Sequence, residues 1–274
     1  MRDKLPNIPN YIIDHVLSDS GGSAIVYWGV DQRSGYPVAI KKPRLNDKDA
    51  LIRLRMEATH QLYLSQSNNP NMTRLLDYVE KNGEGYLVME YVEGTPLDVY
   101  MKKLGKPMPD DFAIPVFLQM LDAVDYVHQC GYLHKDIKPG NFILRNDMIV
   151  KLLDMGVSTR MNYKDPMVSG TPSFMPPEQF ENGTTGRYTD IFALGVSLFY
   201  MLTNKMPFVG NGYMEIWQDI KSGRMPNAHH ANPSLHPIYQ TLLEKALNIN
   251  CRMRYQSCSE FSRAVQQAFA IARG

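Results

Sequence analysis

The stretch HKDIKPGNFIL, at residues 134–144, restricts the fold most strongly, because it joins a dense polar cluster directly to an apolar segment. Asp136, Lys138 and Asn141 lie in this stretch, and the sequence KLLDMG then runs through a second apolar segment to another acid, Asp154. Catalytic side chains are commonly carried by loops that a rigid scaffold holds in position. The stretch therefore predicts a reactive loop next to buried strands, and it indicates an enzyme.

Phosphoryl transfer is the chemistry that these side chains suit. The reaction needs positioned phosphates, metal ions that neutralise their charge, and a group that orients the attacking hydroxyl. Asp136 is suited to accept the hydroxyl proton, and Lys138 to stabilise the transferred phosphate. Asn141 and Asp154 offer the hard oxygen ligands that Mg²⁺ prefers. A lone DxKxxN pattern is a weak signal because loops are rich in Asp and Asn, but its combination with an apolar run and Asp-x-Gly is specific.

The first third of the chain has the periodicity of strands with a helix among them. The turn DQRSG predicts a hairpin between the first two of four predicted strands, which are 26–30, 36–40, 73–78 and 85–91. Residues 49–65 have helical spacing. The predicted buried face of this helix consists of Leu51, Leu54, Ala58 and Leu62.

The remainder of the chain has the periodicity of helices, predicted at 110–130, 191–202, 214–222, 238–246 and 259–272. Residues 191–202 are apolar nearly all round but too few to cross a bilayer, so they predict a buried core helix. We therefore expect a small strand-rich lobe before a larger helical lobe, with a hinge at 90–94. A cleft between two such lobes is the default position for a ligand.

Composition narrows the possible partners and compartment. Lys and Arg number 29 against 28 Asp and Glu, so the net charge of +1 gives no general attraction to nucleic acid or membranes. The three cysteines, Cys130, Cys251 and Cys258, form no CxxC pair, and their odd number argues against a disulfide framework. The N-terminus lacks the apolar core of a signal peptide. We expect a cytoplasmic protein with no membrane segment and no nucleic-acid partner.

The histidines do not predict a metal site. His229, His230 and His236 lie in a Pro- and Asn-rich stretch without the spacing of metal ligands, so a solvated loop is expected there. His134, beside the reactive loop, is expected to be a packed core residue.

Further motifs identify the chain as a member of the protein kinase family, which it resembles from about Tyr11 to Ala272. In the order of the sequence they read VAIK, RMEA, YLVMEYVEG, HKDIKPGN, DMG, GTPSFMPPE, YTDIFALGVSLFYMLTNKMPF and CRMRYQS. The resemblance is greatest to bacterial members with eukaryotic-like Ser/Thr kinase domains. It implies an α+β, two-lobed fold in a single domain, 1–274, with an N-lobe at 11–93 and a C-lobe at 94–272.

The resemblance also implies roles for individual residues. Lys41 of VAIK would hold the phosphates of ATP and pair with Glu57, and strand alternation would place Lys42 on the opposite face. Asp136 and Lys138 would be catalytic, while Asn141 and Asp154 would bind Mg²⁺ or, alternatively, Mn²⁺. The remaining implied nucleotide contacts are Gly21, Gly22, Val26, Ala39, Met89, Glu90, Val92 and Ile143.

Other residues of the motifs are expected to shape the site. The resemblance implies that Asp190 braces the catalytic loop and that Arg254 pairs with Glu178, three residues expected to be structural. It places Thr171 near the substrate, in contact with Asp136 and Lys138.

The sequence departs from the family pattern at several positions. Asp19 and Ala24 replace the outer glycines of the glycine-rich loop, which predicts weaker nucleotide binding. Lys135 replaces an arginine and lacks its planar fork, so control by phosphorylation is expected to be weaker. Met155 replaces a phenylalanine. The acid found in arginine-directed members is missing at Gly140, and Tyr200 occupies another such position, so a strict demand for arginine in the substrate is not expected.

The resemblance implies a Ser/Thr protein kinase that uses ATP and phosphorylates proteins, including itself. The predicted sites of autophosphorylation are Ser158, Thr159 and Ser169. The alternative is a pseudokinase, a nucleotide-binding scaffold without catalysis, which the altered glycine loop would suit. A small-molecule kinase of the same fold is disfavoured by the peptide-docking segment GTPSFMPPE. The sequence leaves the substrate protein and the oligomeric state open.

Overall fold

The computed structural model describes residues 5–19, 24–45, 47–67, 69–163, 168–181 and 183–274. It divides the chain into two units with separate internal packing, Met1–Glu93 and Gly94–Gly274. Strands dominate the described part of the first unit and helices that of the second, so the predicted α+β class is confirmed.

The first unit is built on a five-stranded antiparallel sheet with the order β1-β2-β3-β5-β4. Its strands are β1 (Tyr11–Ser18), β2 (Ala24–Asp31), β3 (Pro37–Pro43), β4 (Leu75–Lys81) and β5 (Glu84–Glu90). Their alternate residues supply a core that includes Tyr27, Val38, Ile40, Tyr86 and Val88. Four of these strands were predicted; β1 was not.

Helix α1 (Lys48–Leu64) crosses between β3 and β4 in the sequence. It begins where the Asp47 side chain accepts a hydrogen bond from the Ala50 N–H, an N-cap that satisfies an otherwise unpaired donor. Leu54 and Ala58 are buried as predicted, but Leu62 is 58% exposed, so the predicted face was wrong at its end. The buried stripe instead continues through Gln61, whose side-chain amide donates to the carbonyl of Thr73 (2.6 Å).

The second unit contains short strands and a group of helices. The strands are β6 (Thr95–Pro96), β7 (Tyr132–Leu133), β8 (Phe142–Leu144), β9 (Val150–Leu152) and β10 (Thr159–Arg160). The helices are α2 (Leu97–Leu104), α3 (Asp110–Gln129), α4 (Pro177–Phe180), α5 (Arg187–Thr203), α6 (Tyr213–Lys221), α7 (Ala228–Ala231), α8 (Ile238–Ala246) and α9 (Cys258–Arg273). β8 pairs with both β6 and β9, and β10 pairs with β7.

Helix α5 is the core helix of this unit, as its apolar sequence predicted. It is buried on almost every side and packs against α3, α8 and α9. Aromatic contacts extend this core: Phe192 stacks on Phe208, and Phe261 of α9 contacts both Phe117 and Tyr255. The unit therefore gives the loops after β7 and β9 a rigid support.

Several smaller expectations can be compared with the structure. All three cysteines are free, and His134 is buried, as expected. His229 and His230 are exposed in the short helix α7, where a loop was predicted. Among the residues described, no group of three or more His, Cys, Asp and Glu side chains is arranged to hold a metal ion. Within the same residues, every helix is too short or too polar to traverse a membrane.

Candidate active site

Lys41 and Glu57 form a buried ion pair in the first unit. Lys41 is in the third strand and Glu57 is on the inner side of α1, with 2.7 Å between Nζ and Oε1. Both side chains are buried, and such a pair is retained only when its geometry compensates for lost hydration. The neighbouring Lys42 points the other way and contacts Glu84 (2.6 Å between Nζ and Oε1). The predicted register of the two lysines is therefore observed.

Several of the predicted nucleotide contacts share one face of the sheet. Val26 is paired directly with Lys41 across β2 and β3, and Ala39 is paired with Met89 across β3 and β5. Because side chains alternate along a strand, Lys41 and Ala39 point to the same side, and their partners point there with them. This face therefore combines an apolar surface with one paired ammonium group.

The other predicted contacts are more scattered. Glu90 ends β5 and is paired with Val38, Val92 is buried just beyond that strand, and Ile143 lies half-buried in β8 of the second unit. Gly21 and Gly22, predicted to cover the phosphates, lie outside the described residues.

Asp19, at the edge of that loop, has a partner that the sequence did not indicate. The Arg44 guanidinium contacts both its carboxylate and its backbone carbonyl. An acid at this position brings negative charge towards the phosphates of a nucleotide unless its side chain points outward. The contact with Arg44 offsets that charge, so the expectation of repulsion loses its basis.

A buried acid holds the reactive loop of the second unit. The carboxylate of Asp190, at the start of α5, accepts hydrogen bonds from the backbone N–H groups of His134 (2.9 Å) and Lys135 (2.8 Å). His128 Nε2 lies 2.7 Å from the same carboxylate. Burial alone would raise the pKa of Asp190, but these hydrogen bonds outweigh it and hold the pKa below its ordinary value. The predicted bracing role is therefore observed.

Asp136 and Lys138 of this loop form a connected cluster with Thr171. Lys138 Nζ donates to Asp136 Oδ2 (2.8 Å) and to the Thr171 hydroxyl (2.6 Å). The Thr171 backbone N–H donates to Asp136 Oδ1 (2.8 Å). Both contacts predicted for Thr171 are present. The cluster holds a carboxylate and an ammonium group together beside an aliphatic hydroxyl, which is the arrangement needed to bind such a hydroxyl and to receive its proton.

Asn141 and Asp154 are brought together by strand pairing. β8 and β9 are antiparallel with Phe142 opposite Leu152, and the Leu153 N–H donates to the Asn141 carbonyl (2.9 Å). Asn141 turns its Nδ2 group to the Asp136 carbonyl (2.8 Å), which directs the amide oxygen elsewhere.

The Gly156 N–H donates to Asp154 Oδ1 (2.8 Å) and orients that carboxylate. An amide oxygen and a carboxylate from adjacent strand ends form a hard donor set that suits a divalent ion such as Mg²⁺.

The segment after Asp154 corrects one expectation. Met155 is buried, and Ser158 and Thr159 are each only 6% exposed. Thr159 belongs to β10, and the Ser158 hydroxyl donates to the Met155 carbonyl (2.7 Å). As autophosphorylation sites these two residues were wrongly chosen for this conformation, because their hydroxyls face the interior. Ser169 is partly buried and stays a prediction.

Two structural supports complete the site. Arg254 makes a fork of hydrogen bonds to Glu178 (2.8 and 3.0 Å), which is the predicted pair. Gln179, which the sequence did not single out, donates from its side-chain amide to the backbone carbonyls of Lys135 and Ser169. The sequence offers one signal for the role of Gln179, its position directly after Glu178. No spacing pattern in the sequence predicts that a glutamine at this position supports the site.

The sequence of this chain is similar to the sequences of known proteins. Residues 19–269 match the family model described as "Protein kinase domain". The chain is 33% identical over 264 residues to a probable serine/threonine-protein kinase PknB of Bifidobacterium longum, covering 89% of this chain and 38% of that protein. It is 31% identical to serine/threonine-protein kinase PrkC of Bacillus subtilis, with coverage of 92% and 40%. It is 32% identical to serine/threonine-protein kinase PknA of Mycobacterium tuberculosis, with coverage of 91% and 59%. The chain thus spans about two fifths of the length of the first two relatives.

Proposed function

Because this chain belongs to the protein kinase family, we propose that it transfers the γ-phosphate of ATP to Ser and Thr hydroxyl groups of proteins. The relatives reported above are named as serine/threonine-protein kinases, which supports this choice of acceptor. The observation that carries the proposal is the cluster of Asp136, Lys138 and Thr171, because its ammonium group contacts both an aliphatic hydroxyl and the neighbouring carboxylate.

In the proposed reaction, Asp136 accepts the proton of the substrate hydroxyl and Lys138 balances negative charge on the transferred phosphoryl group. Both side chains are oriented by their contact with each other, and Asp136 also by the Thr171 N–H, so little reorganisation precedes the chemical step. Asp190 holds the backbone of this loop and is a positioning residue. The neighbouring Thr171 hydroxyl keeps Lys138 directed at the same place.

Lys41 is proposed to hold phosphate oxygens, with Glu57 fixing the direction of its ammonium group. Asn141 and Asp154 are proposed to hold divalent metal, with Mg²⁺ favoured by their hard oxygen atoms and Mn²⁺ as the alternative. When bound, such an ion neutralises phosphate charge and stabilises the leaving group. The apolar face around Val26, Ala39 and Met89 is proposed to bind the adenine ring.

A cytoplasmic location is proposed as well. ATP-dependent signalling suits that compartment, and the three cysteines are free, as expected in a reducing environment. Autophosphorylation is proposed to use hydroxyls other than the buried Ser158 and Thr159.

The test of the function is phosphate transfer to a Ser/Thr peptide library and to the chain itself, with Mg²⁺ and ATP, followed by mass spectrometry of the products. We expect new phosphoserine and phosphothreonine. Asp154→Asn should lower kcat/KM at least a hundredfold while the thermal unfolding midpoint changes little. Asp147→Asn is the matched control, because Asp147 is an exposed acid that pairs with Arg145 and should keep full activity.

Binding of Mg²⁺ and ATP by the wild type, measured by thermal shift, separates the two functional hypotheses. ATP binding without any transferred phosphate would contradict the proposed reaction and favour the pseudokinase alternative. Full activity in Asp154→Asn would contradict the role assigned to that carboxylate.

A further inference from the structure

The side-chain amide of Gln179 joins the reactive loop to the segment that contacts it. Its Nε2 atom donates hydrogen bonds to the backbone carbonyls of Lys135 (2.8 Å) and Ser169. Lys135 directly precedes Asp136, and Ser169 lies two residues before Thr171. One amide nitrogen carries two hydrogen atoms, so it can bond both carbonyls at once. The two segments are therefore held together by a single side chain that is almost fully buried.

Gln179 is carried by an element that is itself held in place. It belongs to α4, where the preceding Glu178 accepts the fork of hydrogen bonds from Arg254. The following Phe180 is buried in a core cluster that includes Phe192 of α5. Because the residues on both sides of Gln179 are fixed, the position of its amide can determine where the two carbonyls lie.

Lys135, at one end of this bridge, has a backbone conformation that needs support. Its φ of +66° lies in the left-handed region, which is unfavourable for a residue that has a Cβ atom. The Lys135 N–H donates to Asp190 Oδ1 (2.8 Å), and the Lys135 carbonyl accepts from Gln179 (2.8 Å). Hydrogen bonds on both sides of the residue therefore hold this conformation, which sets the direction in which the chain continues to Asp136.

Gly170 shows how closely the other end of the bridge approaches the reactive loop. Its φ is +124°, and a Cβ atom there would lie 2.7 Å from Gln179 Nε2 and 2.9 Å from the Lys135 carbonyl oxygen. Only glycine fits this position without displacing its neighbours. The next residue, Thr171, donates from its N–H to Asp136 Oδ1 (2.8 Å). The close approach at Gly170 therefore brings that N–H to the carboxylate.

We propose that Gln179 is a positioning residue for phosphoryl transfer, which fixes the reactive loop against residues 169–171 and so aligns the Asp136 carboxylate with the acceptor hydroxyl. The proposal rests on the proposed function and adds to it a residue that acts through Asp136. The Lys135 and Ser169 carbonyl oxygens share one donor, so without it they would repel each other and separate. A displacement of about 1 Å at a reacting group can lower a rate about a hundredfold.

The test compares Gln179→Met and Gln179→Glu with the wild type on Ser/Thr peptides, with Mg²⁺ and a range of ATP concentrations. Methionine keeps the length of the side chain but has no N–H donor, and a carboxylate would repel both carbonyls. Steady-state kinetics give kcat and the KM for ATP, and urea unfolding gives the folded fraction by which kcat is corrected. We expect kcat to fall roughly ten- to a hundredfold in Gln179→Met and further in Gln179→Glu, with the KM for ATP changed less than about twofold.

A second measurement reports the alignment without turnover. In protein labelled with ¹⁵N-threonine, the proton chemical shift of the Thr171 amide depends on its hydrogen bond to Asp136 Oδ1. Its signal is identified by its loss in Thr171→Ser. We expect the signal to move upfield in Gln179→Met, because this hydrogen bond lengthens when the two segments separate. The measurement requires neither ATP nor a peptide.

Gln256 supplies the matched control. Its Nε2 atom also donates to two backbone carbonyls of the second unit, those of Cys251 (3.0 Å) and Arg254 (2.8 Å). Neither carbonyl belongs to the reactive loop or to residues 169–171. Gln256→Met should therefore keep the kcat of the wild type and leave the Thr171 amide signal in place.

The outcomes separate this inference from the proposed function. If Gln179→Met is less stable but keeps the wild-type kcat per folded molecule, the residue is only structural and the inference is overturned. An unmoved Thr171 amide signal in Gln179→Met, or an equal loss of kcat in Gln256→Met, would overturn it as well. If the wild type phosphorylates no peptide, the proposed function fails, and the Thr171 signal alone decides whether Gln179 holds this segment against Asp136.

Discussion

At the scale of single residues, two adjacent lysines of β3 lie in different environments because successive side chains of a strand point to opposite faces. Lys41 is buried against Glu57, whereas Lys42 is half-buried against Glu84 on the other face. Alternation and the acid in the following helix were both readable from the sequence. The ion pair between Lys41 and Glu57 was therefore predictable from the sequence. Because Lys42 lies on the opposite face, it serves as the control in a test of Lys41.

Lys41→Met should lower kcat/KM for ATP-dependent phosphorylation by orders of magnitude, because the phosphates lose a charged anchor. Lys42→Met should change it less than threefold, since it removes a partly exposed pair. Steady-state kinetics on both variants, with circular dichroism to verify folding, provides the comparison. A larger loss in Lys42→Met would show that the assignment of the two lysines is wrong.

Other residues could not be placed from the sequence, because long side chains reach partners that spacing does not reveal. The contact between Arg44 and Asp19 is of this kind, and so is the approach of the Asp98 carboxyl group to the place that a side chain at position 140 would occupy. Each changes the electrostatics expected at a position where the family pattern is broken. Family motifs predict which positions matter, but the charge at an altered position depends on neighbours in space.

The lowered pKa of Asp190 predicts an acid-sensitive contribution to stability. A carboxyl whose pKa is lower in the folded than in the unfolded state stabilises the fold above its unfolded pKa, about 3.9. That contribution is lost as the pH falls through the folded pKa, because the folded state then binds the proton too. Asp190→Asn should therefore unfold at lower urea concentration than the wild type at pH 6.

The difference between Asp190→Asn and the wild type in the urea concentration that unfolds them should narrow as the pH falls below about 4. Asp111→Asn, a change at an exposed acid of α3, supplies the control and should follow the wild type throughout. A difference between Asp190→Asn and the wild type that stays constant from pH 6 to pH 3 would be inconsistent with this linkage.

At the scale of elements, long periodic segments were predicted well and short or polar ones were not. Helix α8 has the predicted bounds of 238–246, and α3 ends within one residue of its prediction. The two-residue strand β10 was missed, because its pairing with β7 depends on a partner far away in sequence. That pairing buries Thr159, one of the three predicted phosphorylation sites.

Helix α1 shows how one polar residue redirects a buried face. The sequence predicted that Leu62 is buried, but the buried face of the helix includes Gln61 instead. The Gln61 side-chain amide donates a hydrogen bond to the Thr73 carbonyl in the interior. An apolar pattern alone cannot reveal that a backbone acceptor lies opposite the helix, because the acceptor belongs to a different segment.

Gln61→Ala should lower the free energy of unfolding by about 1–3 kcal/mol, since it leaves the buried Thr73 carbonyl without this donor. Leu62→Ala should lower it by less than about 0.5 kcal/mol, because that side chain is mostly exposed. Urea unfolding of both variants measures the two free energies. A larger loss for Leu62→Ala would restore the apolar face first predicted for this helix.

At the scale of the whole molecule, each unit has its own core, and the sequence located the change between them. The expected hinge at 90–94 includes the boundary between Glu93 and Gly94. This change was predictable because strand periodicity gives way to helix periodicity there, a signal spread over many residues. The family motifs predict site residues in each unit, and the chain spans about two fifths of the length of the first relatives reported.

Within the second unit, one ion pair joins segments that are far apart in sequence. Arg254 is fully buried and donates to Glu178 through two nitrogen atoms, and also to the backbone carbonyls of Tyr188, Asn248 and Ile249. Removing one partner of a buried pair leaves the other charge uncompensated, which typically costs about 3–5 kcal/mol. The three carbonyls lose a donor at the same time. The pair is therefore expected to govern the stability of the second unit as a whole.

Arg254→Ala should lower the free energy of unfolding by about 3–5 kcal/mol, and Arg252→Ala, an exposed arginine two residues away, should lower it by less than about 0.5 kcal/mol. The chain has two tryptophans, Trp28 in the first unit and Trp217 in the second, so a Trp28→Phe background reports the second unit by fluorescence. Urea unfolding in that background measures both variants. Equal stability of the Arg254→Ala and Arg252→Ala variants would mean that Glu178 and its neighbours find other partners. The ion pair predicted from the sequence would then contribute to the position of the segment before α5 but not to the stability of the fold.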